Sequence, residues 1–139
     1  MAQDVLTAGG TPVLVTSLSR CKYVSTRFIK PDPTDVVNAA LSVASANSFP
    51  FIDLNKASMA YLNGIGETNA RLYDRIAGDT THLNAAGDML FGNMVSWLLG
   101  SSGVGAQVEG FLSPNVTIVE DIEDGKFILL VNTTVAKNL

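Results

Sequence analysis

The sequence contains very little cysteine and histidine. Cys21 is the only cysteine and His82 the only histidine among the 139 residues. One cysteine cannot form an internal disulfide, and structural zinc sites need clusters of cysteine and histidine ligands. We therefore expect no disulfide, no metal ion and no cofactor.

Clusters of basic residues and long apolar runs are also missing. Nine Lys and Arg residues stand against thirteen Asp and Glu residues, which gives a net charge of -4. A nucleic-acid binder needs a basic surface, and a membrane span needs about 20 apolar residues. We expect neither a nucleic-acid partner nor a membrane partner. Since the sequence as given shows no signal-peptide pattern at its start, it reads as cytoplasmic.

The chain is long and apolar enough to bury a core, with 47% hydrophobic residues. Residues 11–17 form an unbroken β-branched and apolar run, typical of a strand buried on both faces of a parallel sheet. Asp32 is expected to cap a helix that has Pro33 at its first position and runs to about residue 46. Residues 49–54 resemble a second strand. The order of strand, helix and strand predicts a parallel crossover.

The middle of the chain is predicted to be helical. Residues 55–76 show a helical pattern with a break at residues 64–66, where two glycines stand. A loop follows, and Asn84 is a good cap for a helix over residues 85–99. We assign residues 1–100 to one α/β domain.

The C-terminal part has a different pattern. Residues 116–119 and 126–131 are rich in β-branched and apolar side chains, and an Asp-Gly pair lies between them. Such pairs mark tight turns between antiparallel strands. We therefore predict an appended β-hairpin extension over residues 101–139.

The loop before the helix at residues 85–99 carries the strongest chemical signal. Its sequence is DTTHLN, in which Asp79 stands three positions before His82. Histidine is the side chain whose ordinary titration lies nearest neutral pH, which makes His82 the first candidate for acid-base chemistry. The competing interpretation is that Asp79 caps a turn and that His82 merely sits at a helix entrance.

Three segments together resemble the C-terminal half of SGNH/GDSL hydrolases, and most closely the rhamnogalacturonan acetylesterase type of carbohydrate esterase. The segments are PVLVTS with Arg20, FIDL at residues 51–54, and DTTHLNAAG at residues 79–87. The resemblance covers roughly residues 1–99 and implies a partial flavodoxin-like parallel sheet with flanking helices that lacks the N-terminal strands. It also implies a substrate that is an acetylated polysaccharide or a small ester.

Carried over residue by residue, the resemblance implies that His82 is the general base and that Asp79 orients its ring. Asn84 could contact substrate, although helix capping explains it equally well. The family's nucleophile lies in a Gly-Asp-Ser motif, which this sequence does not contain. We therefore expect the motif to precede Met1 and the isolated chain to be inactive. The resemblance also implies secretion, provided that the full-length parent carries a signal peptide.

Several alternatives stay open. Ser17 and Ser19 are conceivable nucleophiles, but serines at strand ends usually form turns. Asp53 is expected to cap the next helix, and Cys21 to be a small buried residue. The missing strands would leave an unpaired sheet edge through which the chain could associate. The main alternative to an esterase is a non-catalytic remnant that acts as a binding or interaction module.

Overall fold

The computed structural model describes residues 1–129, which form a mixed α/β fold. The helices are α1 (Ala2–Thr7), α2 (Thr34–Asn47), α3 (Leu54–Ala70), α4 (Ala85–Gly100), α5 (Gly105–Val108) and α6 (Val116–Glu123). The strands are β1 (Leu14–Val15), β2 (Tyr23–Ser25), β3 (Phe28–Ile29) and β4 (Phe51–Ile52), and short 3-10 helices cover Arg71–Tyr73 and Glu109–Phe111. Among residues 1–129, no helix has both the length and the apolar character that crossing a bilayer requires.

The predicted parallel crossover is confirmed. Strand β1 pairs in parallel with β4, with Leu14 opposite Phe51 and Val15 opposite Ile52, and α2 lies between them in sequence. The strand predicted over residues 11–17 is much shorter and is not buried on both faces, since Val15 is 45% exposed. Within residues 1–129 this sheet has only two strands, so each strand has a partner on one side only.

A hairpin occupies the segment between β1 and α2. Strands β2 and β3 pair antiparallel, with Tyr23 opposite Ile29. The hairpin is anchored on α3, because the Tyr23 hydroxyl donates to the Leu62 carbonyl at 2.6 Å and the Ile29 amide donates to Asn63 Oδ1 at 2.8 Å. Side chains therefore alternate between an anchored inner face and an exposed outer face.

The predicted break in the long helix is confirmed at Gly66. This residue has φ +76°, a left-handed conformation that glycine adopts without a side-chain clash. The break leaves the Glu67 amide free to donate to the Thr26 carbonyl at 2.9 Å, at the tip of the hairpin. The glycine thus serves to dock the hairpin.

The predicted C-terminal hairpin is wrong over its first strand, which is part of helix α6. Asn115 caps this helix by accepting a hydrogen bond from the Ile118 amide at 3.2 Å. Ile118 and Ile122 are four residues apart and meet the core on one helical face, which outweighs the β preference of the branched side chains. The Asp-Gly pair follows the helix end, where Gly125 has φ +63°. The second strand was predicted over residues 126–131. Residues 126–129 form no strand, and the rest of this prediction lies outside the described residues.

An aromatic cluster between α3 and α4 forms the centre of the core. Tyr61, Tyr73 and Phe91 are all at least 95% buried, and the two tyrosine rings meet Phe91 edge to face at 6.3 and 6.1 Å. Ile122 of α6 belongs to the same core. The C-terminal helix is consequently packed against the rest of the molecule.

Candidate functional site

The Asp79–His82 segment lies on a loop whose two ends are held together. The Arg75 amide donates to the His82 carbonyl at 2.9 Å, and the Asn84 amide donates to the Tyr73 carbonyl at 2.9 Å. These bonds belong to a short antiparallel bridge between Asp74 and Leu83. The loop is therefore fixed to the core just before α4 begins.

The structure brings Asp79 and His82 into direct contact. Asp79 Oδ2 lies 2.9 Å from His82 Nδ1, and Asp79 Oδ1 accepts the backbone N–H groups of Thr81 and His82, each at 3.0 Å. These two backbone donors, and then the His82 ring, lower the pKa of Asp79 from 3.8 to about 2. The carboxylate is ionised at neutral pH and can hold a proton on Nδ1.

The exposure of the two side chains differs. The His82 side chain is 65% exposed, whereas that of Asp79 is 18% exposed. No residue between 1 and 129 forms a hydrogen bond with Nε2 of His82, although Nδ1 is engaged. An Nδ1–H tautomer would leave Nε2 as an open proton acceptor. Asp79 also caps the turn through its bonds to the Thr81 and His82 amides. The same conformation is therefore compatible with a catalytic role for the pair and with a purely structural role.

Asn84 is the cap of α4, as predicted. Its Oδ1 accepts the Gly87 amide at 3.0 Å, while its Nδ2 donates to the carbonyls of Leu72 at 2.7 Å and Asp74 at 3.2 Å. These bonds tie the start of α4 to the preceding 3-10 helix. They account for Asn84 as a structural residue, and a contact with substrate stays a prediction.

The segment that follows β1 runs beside the Asp79–His82 loop. The Cys21 amide donates to the Thr80 carbonyl at 2.8 Å, and Ser19 and His82 line the same small cleft. The Ser19 hydroxyl is nevertheless directed to the Arg20 carbonyl at 3.4 Å, and no hydrogen bond joins Ser19 to His82. The geometry does not present Ser19 as an activated nucleophile.

The other candidates from the sequence have structural roles. Asp53 caps α3 by accepting the Lys56 amide at 3.1 Å, as expected, and also accepts the Thr16 hydroxyl at 2.9 Å. Ser17 uses its carbonyl to accept Asn55 Nδ2 at 3.1 Å. Cys21 is buried as expected, and burial, followed by the nearby Asp74 carboxylate, raises the pKa of its thiol to about 12.

The expectation that Asp32 caps α2 is wrong. Pro33 occupies the cap position, and Asp32 instead pairs with Lys22 at 2.9 Å and with Arg20 at 3.6 Å. The hydrogen bond from Lys22 lowers the pKa of Asp32. Sequence reasoning missed this basic group because the charges were judged over the whole chain. The signal was local: residues 18–31 contain four Lys and Arg residues and no acid.

Residues 1–129 contain no group of three or more His, Cys, Asp and Glu side chains that could hold a metal ion. No family model, curated protein or solved structure matches the chain. Since no similar protein indicates a function, the contact between Asp79 and His82 is the main observation that bears on function.

Proposed function

We propose that this chain provides the histidine and aspartate of an SGNH-type serine esterase, within a partial flavodoxin-like sheet. The complete enzyme would remove acetyl groups from pectic polysaccharide of the rhamnogalacturonan kind. The observation that carries the proposal is the 2.9 Å contact between Asp79 Oδ2 and His82 Nδ1 on an anchored, exposed loop. The substrate class comes from the resemblance described above.

The two side chains have different tasks in this mechanism. A serine hydroxyl attacks an ester carbonyl only when a base takes its proton, and Nε2 of His82 is the proposed base. Asp79 accepts Nδ1–H, which keeps the ring in the required tautomer and stabilises the imidazolium that forms. The acetyl group passes to the serine as the sugar oxygen leaves with a proton from His82, and water then releases acetate.

The nucleophile is assigned to residues outside this sequence, which contains neither a Gly-Asp-Ser nor a Gly-x-Ser-x-Gly motif. Strand β1 has a partner on only one side within residues 1–129, so its other edge can pair with a further strand that brings the serine. The isolated chain is expected to show little or no hydrolysis of acetyl esters.

The test compares the chain alone with a protein extended by its upstream coding sequence. Hydrolysis of an acetyl ester is measured for both proteins and for the His82→Ala variant of each. A Ser19→Ala variant of the chain alone tests whether an internal serine is the nucleophile. The extended protein should be active and lose roughly 10²- to 10⁴-fold with His82→Ala. Robust His82-dependent turnover by the chain alone would instead place the nucleophile inside it, and loss with Ser19→Ala would identify it.

The second candidate is a non-catalytic interaction module. It is favoured by exposed apolar side chains on the small sheet, since Val15 of β1 is 45% exposed and Phe51 of β4 is 46% exposed. Exposed apolar side chains and an unpaired strand edge both suit protein association. An extended protein that folds, contains the serine motif and still shows no esterase activity would favour this candidate over the first.

A further inference from the structure

Arg71 joins three segments of the chain by hydrogen bonds. Its Nη1 donates to the Cys21 carbonyl at 2.7 Å and lies 3.4 Å from Asp74 Oδ2, while its Nη2 donates to Glu67 Oε1 at 2.9 Å. A guanidinium suits such multiple bonding because it carries five N–H donors in a fixed, planar arrangement. Arg71 therefore fixes the Cys21 carbonyl relative to α3 and to the 3-10 helix that leads into the Asp79–His82 loop.

Cys21 transmits this restraint to the loop through its other backbone group. The Cys21 amide donates to the Thr80 carbonyl at 2.8 Å. The Thr80 carbonyl and the Thr81 N–H belong to the same planar peptide unit, so fixing one fixes the direction of the other. The Thr81 N–H donates to Asp79 Oδ1 at 3.0 Å. The hydrogen bond from Cys21 therefore aims the donor that holds the Asp79 carboxylate, whose Oδ2 lies 2.9 Å from His82 Nδ1.

A simpler role for Arg71 would be to neutralise Asp74. The Asp74 side chain is only 6% exposed, and burial raises the pKa of its carboxyl, against which the Arg71 guanidinium acts. The distances favour the bond to the backbone, since Arg71 Nη1 lies 2.7 Å from the Cys21 carbonyl oxygen but 3.4 Å from Asp74 Oδ2. A charge partner alone would explain the contact with Asp74 but not the shorter bond to a neutral carbonyl.

We propose that Arg71 is a positioning residue for the Asp79–His82 pair and acts through Cys21 and the peptide unit between Thr80 and Thr81. Among the described residues, no hydrogen bond joins Arg71 to the pair itself, so Arg71 acts on the geometry of the pair and not on the reacting atoms. The consequence for catalysis rests on the proposed esterase function, whereas the effect on the Asp79 carboxylate depends only on the hydrogen bonds themselves.

Carbon NMR titration of the Asp79 carboxyl in the full chain tests the proposal without any need for turnover. The N–H groups of His82 and Thr81 hold the pKa of this carboxyl at about 2, below its ordinary value of 3.8. Arg71→Gln should raise the pKa toward 3.8, because the Thr81 N–H is no longer held in place. Arg71→Lys keeps the charge but lacks the fork of donors, so it should have the same effect and serves as the test if Arg71→Gln does not fold.

Two controls separate this role from a general loss of charge or of stability. Arg75→Gln removes the same charge next to the loop, from an exposed side chain that belongs to no ion pair among residues 1–129, and should leave the pKa of Asp79 at about 2. In Arg71→Gln, hydrogen exchange should become about tenfold faster at the Cys21 amide. It should stay unchanged at the Asn84 amide, whose hydrogen bond closes the other end of the loop.

In the extended esterase, Arg71→Gln should lower kcat by about 10- to 100-fold and leave KM unchanged, since the geometry of the base is altered and substrate binding is not. An unchanged kcat in an active extended protein would overturn the proposal. So would an Asp79 pKa that stays low in the folded Arg71 variants or that rises equally in Arg75→Gln. Exchange that accelerates equally at Asn84 and Cys21 would show that Arg71 only stabilises the fold. If the pKa rises as expected but the extended protein is inactive, only the esterase proposal fails.

Discussion

The hydroxyl oxygens of Tyr61 and Tyr73 lie 2.9 Å apart in the core, and the Tyr73 hydroxyl donates to the Ile128 carbonyl. A hydroxyl has one proton, so Tyr73 gives its proton to Ile128 and Tyr61 must donate to Tyr73. The two tyrosines form a directional chain that joins α3 to the segment after α6.

This direction predicts unequal effects of removing the two hydroxyls. Tyr73→Phe leaves both the Tyr61 hydroxyl and the Ile128 carbonyl without their partner, and should lower the free energy of unfolding by about 2 kcal/mol. Tyr61→Phe leaves the bond to Ile128 in place and should cost about 1 kcal/mol. Urea unfolding of both variants measures the difference. Equal losses, or a larger loss for Tyr61→Phe, would contradict the assigned direction.

The same pair should make the protein sensitive to alkali. Burial raises the pKa of both Tyr61 and Tyr73. Since the neutral hydroxyls are favoured in the folded state, their stabilisation is complete below pH 10 and is lost as the pH rises beyond it. The midpoint of urea unfolding should fall steeply above pH 10, and less steeply in Tyr61→Phe. An identical slope in the variant would show that other groups cause the loss.

The lowered pKa of Asp79 predicts that the protein loses stability in acid. The folded pKa of about 2 lies below the ordinary value of 3.8, so the carboxylate stabilises the folded state above pH 4. This stabilisation should be lost as the pH falls from 4 to 2. Asp79→Asn keeps the shape of the side chain but does not titrate, so its unfolding midpoint should change less across this window. Carbon NMR titration of the Asp79 carboxyl gives an independent value.

Two glycines in helices should respond to alanine in opposite directions. Gly66 has φ +76°, and a Cβ there would lie 3.3 Å from the Thr26 carbonyl oxygen, so Gly66→Ala should destabilise by about 1–3 kcal/mol. Gly92 in α4 has nothing within 4 Å of the position that a Cβ would take, so Gly92→Ala should stabilise by up to about 1 kcal/mol. Thermal unfolding compares the two. A stable Gly66→Ala variant would show that the break in α3 is dispensable.

The Cys21 thiol should react slowly with alkylating reagents. Burial raises its pKa to about 12, so almost none of the reactive thiolate exists at pH 8. Iodoacetamide labelling, followed by mass spectrometry, should be much slower for the folded protein than for the protein in urea. Rapid labelling of the folded protein would mean that the segment beside Thr80 opens readily.

Much of the fold could be predicted from local sequence signals. Asn84 caps α4 and Asp53 caps α3 through their own side-chain oxygens, and Gly66 interrupts a helix because of its own backbone freedom. Asp79 and His82 are three residues apart on one turn, so their contact is also local. Features of this kind depend on neighbours in the chain and are therefore visible in the sequence.

The features that sequence reasoning missed depend on distant residues. Residues 116–119 have a β-like composition, but Ile118 and Ile122 gain more by burial against the core as one face of α6. Asp32 has the right residue type to cap α2, yet two cations from the preceding segment bind its carboxylate. In both cases a tertiary contact outweighed a local preference.

The sequence by itself determined the caps of α3 and α4 and the Asp79–His82 turn, because each arises from residue types only a few positions apart. The order of strand, helix and strand also indicated the parallel pair. Only the tertiary structure decided that residues 20–22 run beside the Asp79–His82 loop, that the hairpin is anchored on α3, and that α6 completes the core. These arrangements depend on which surfaces bury apolar area and pair hydrogen bonds together, and that balance is settled among residues far apart in the chain.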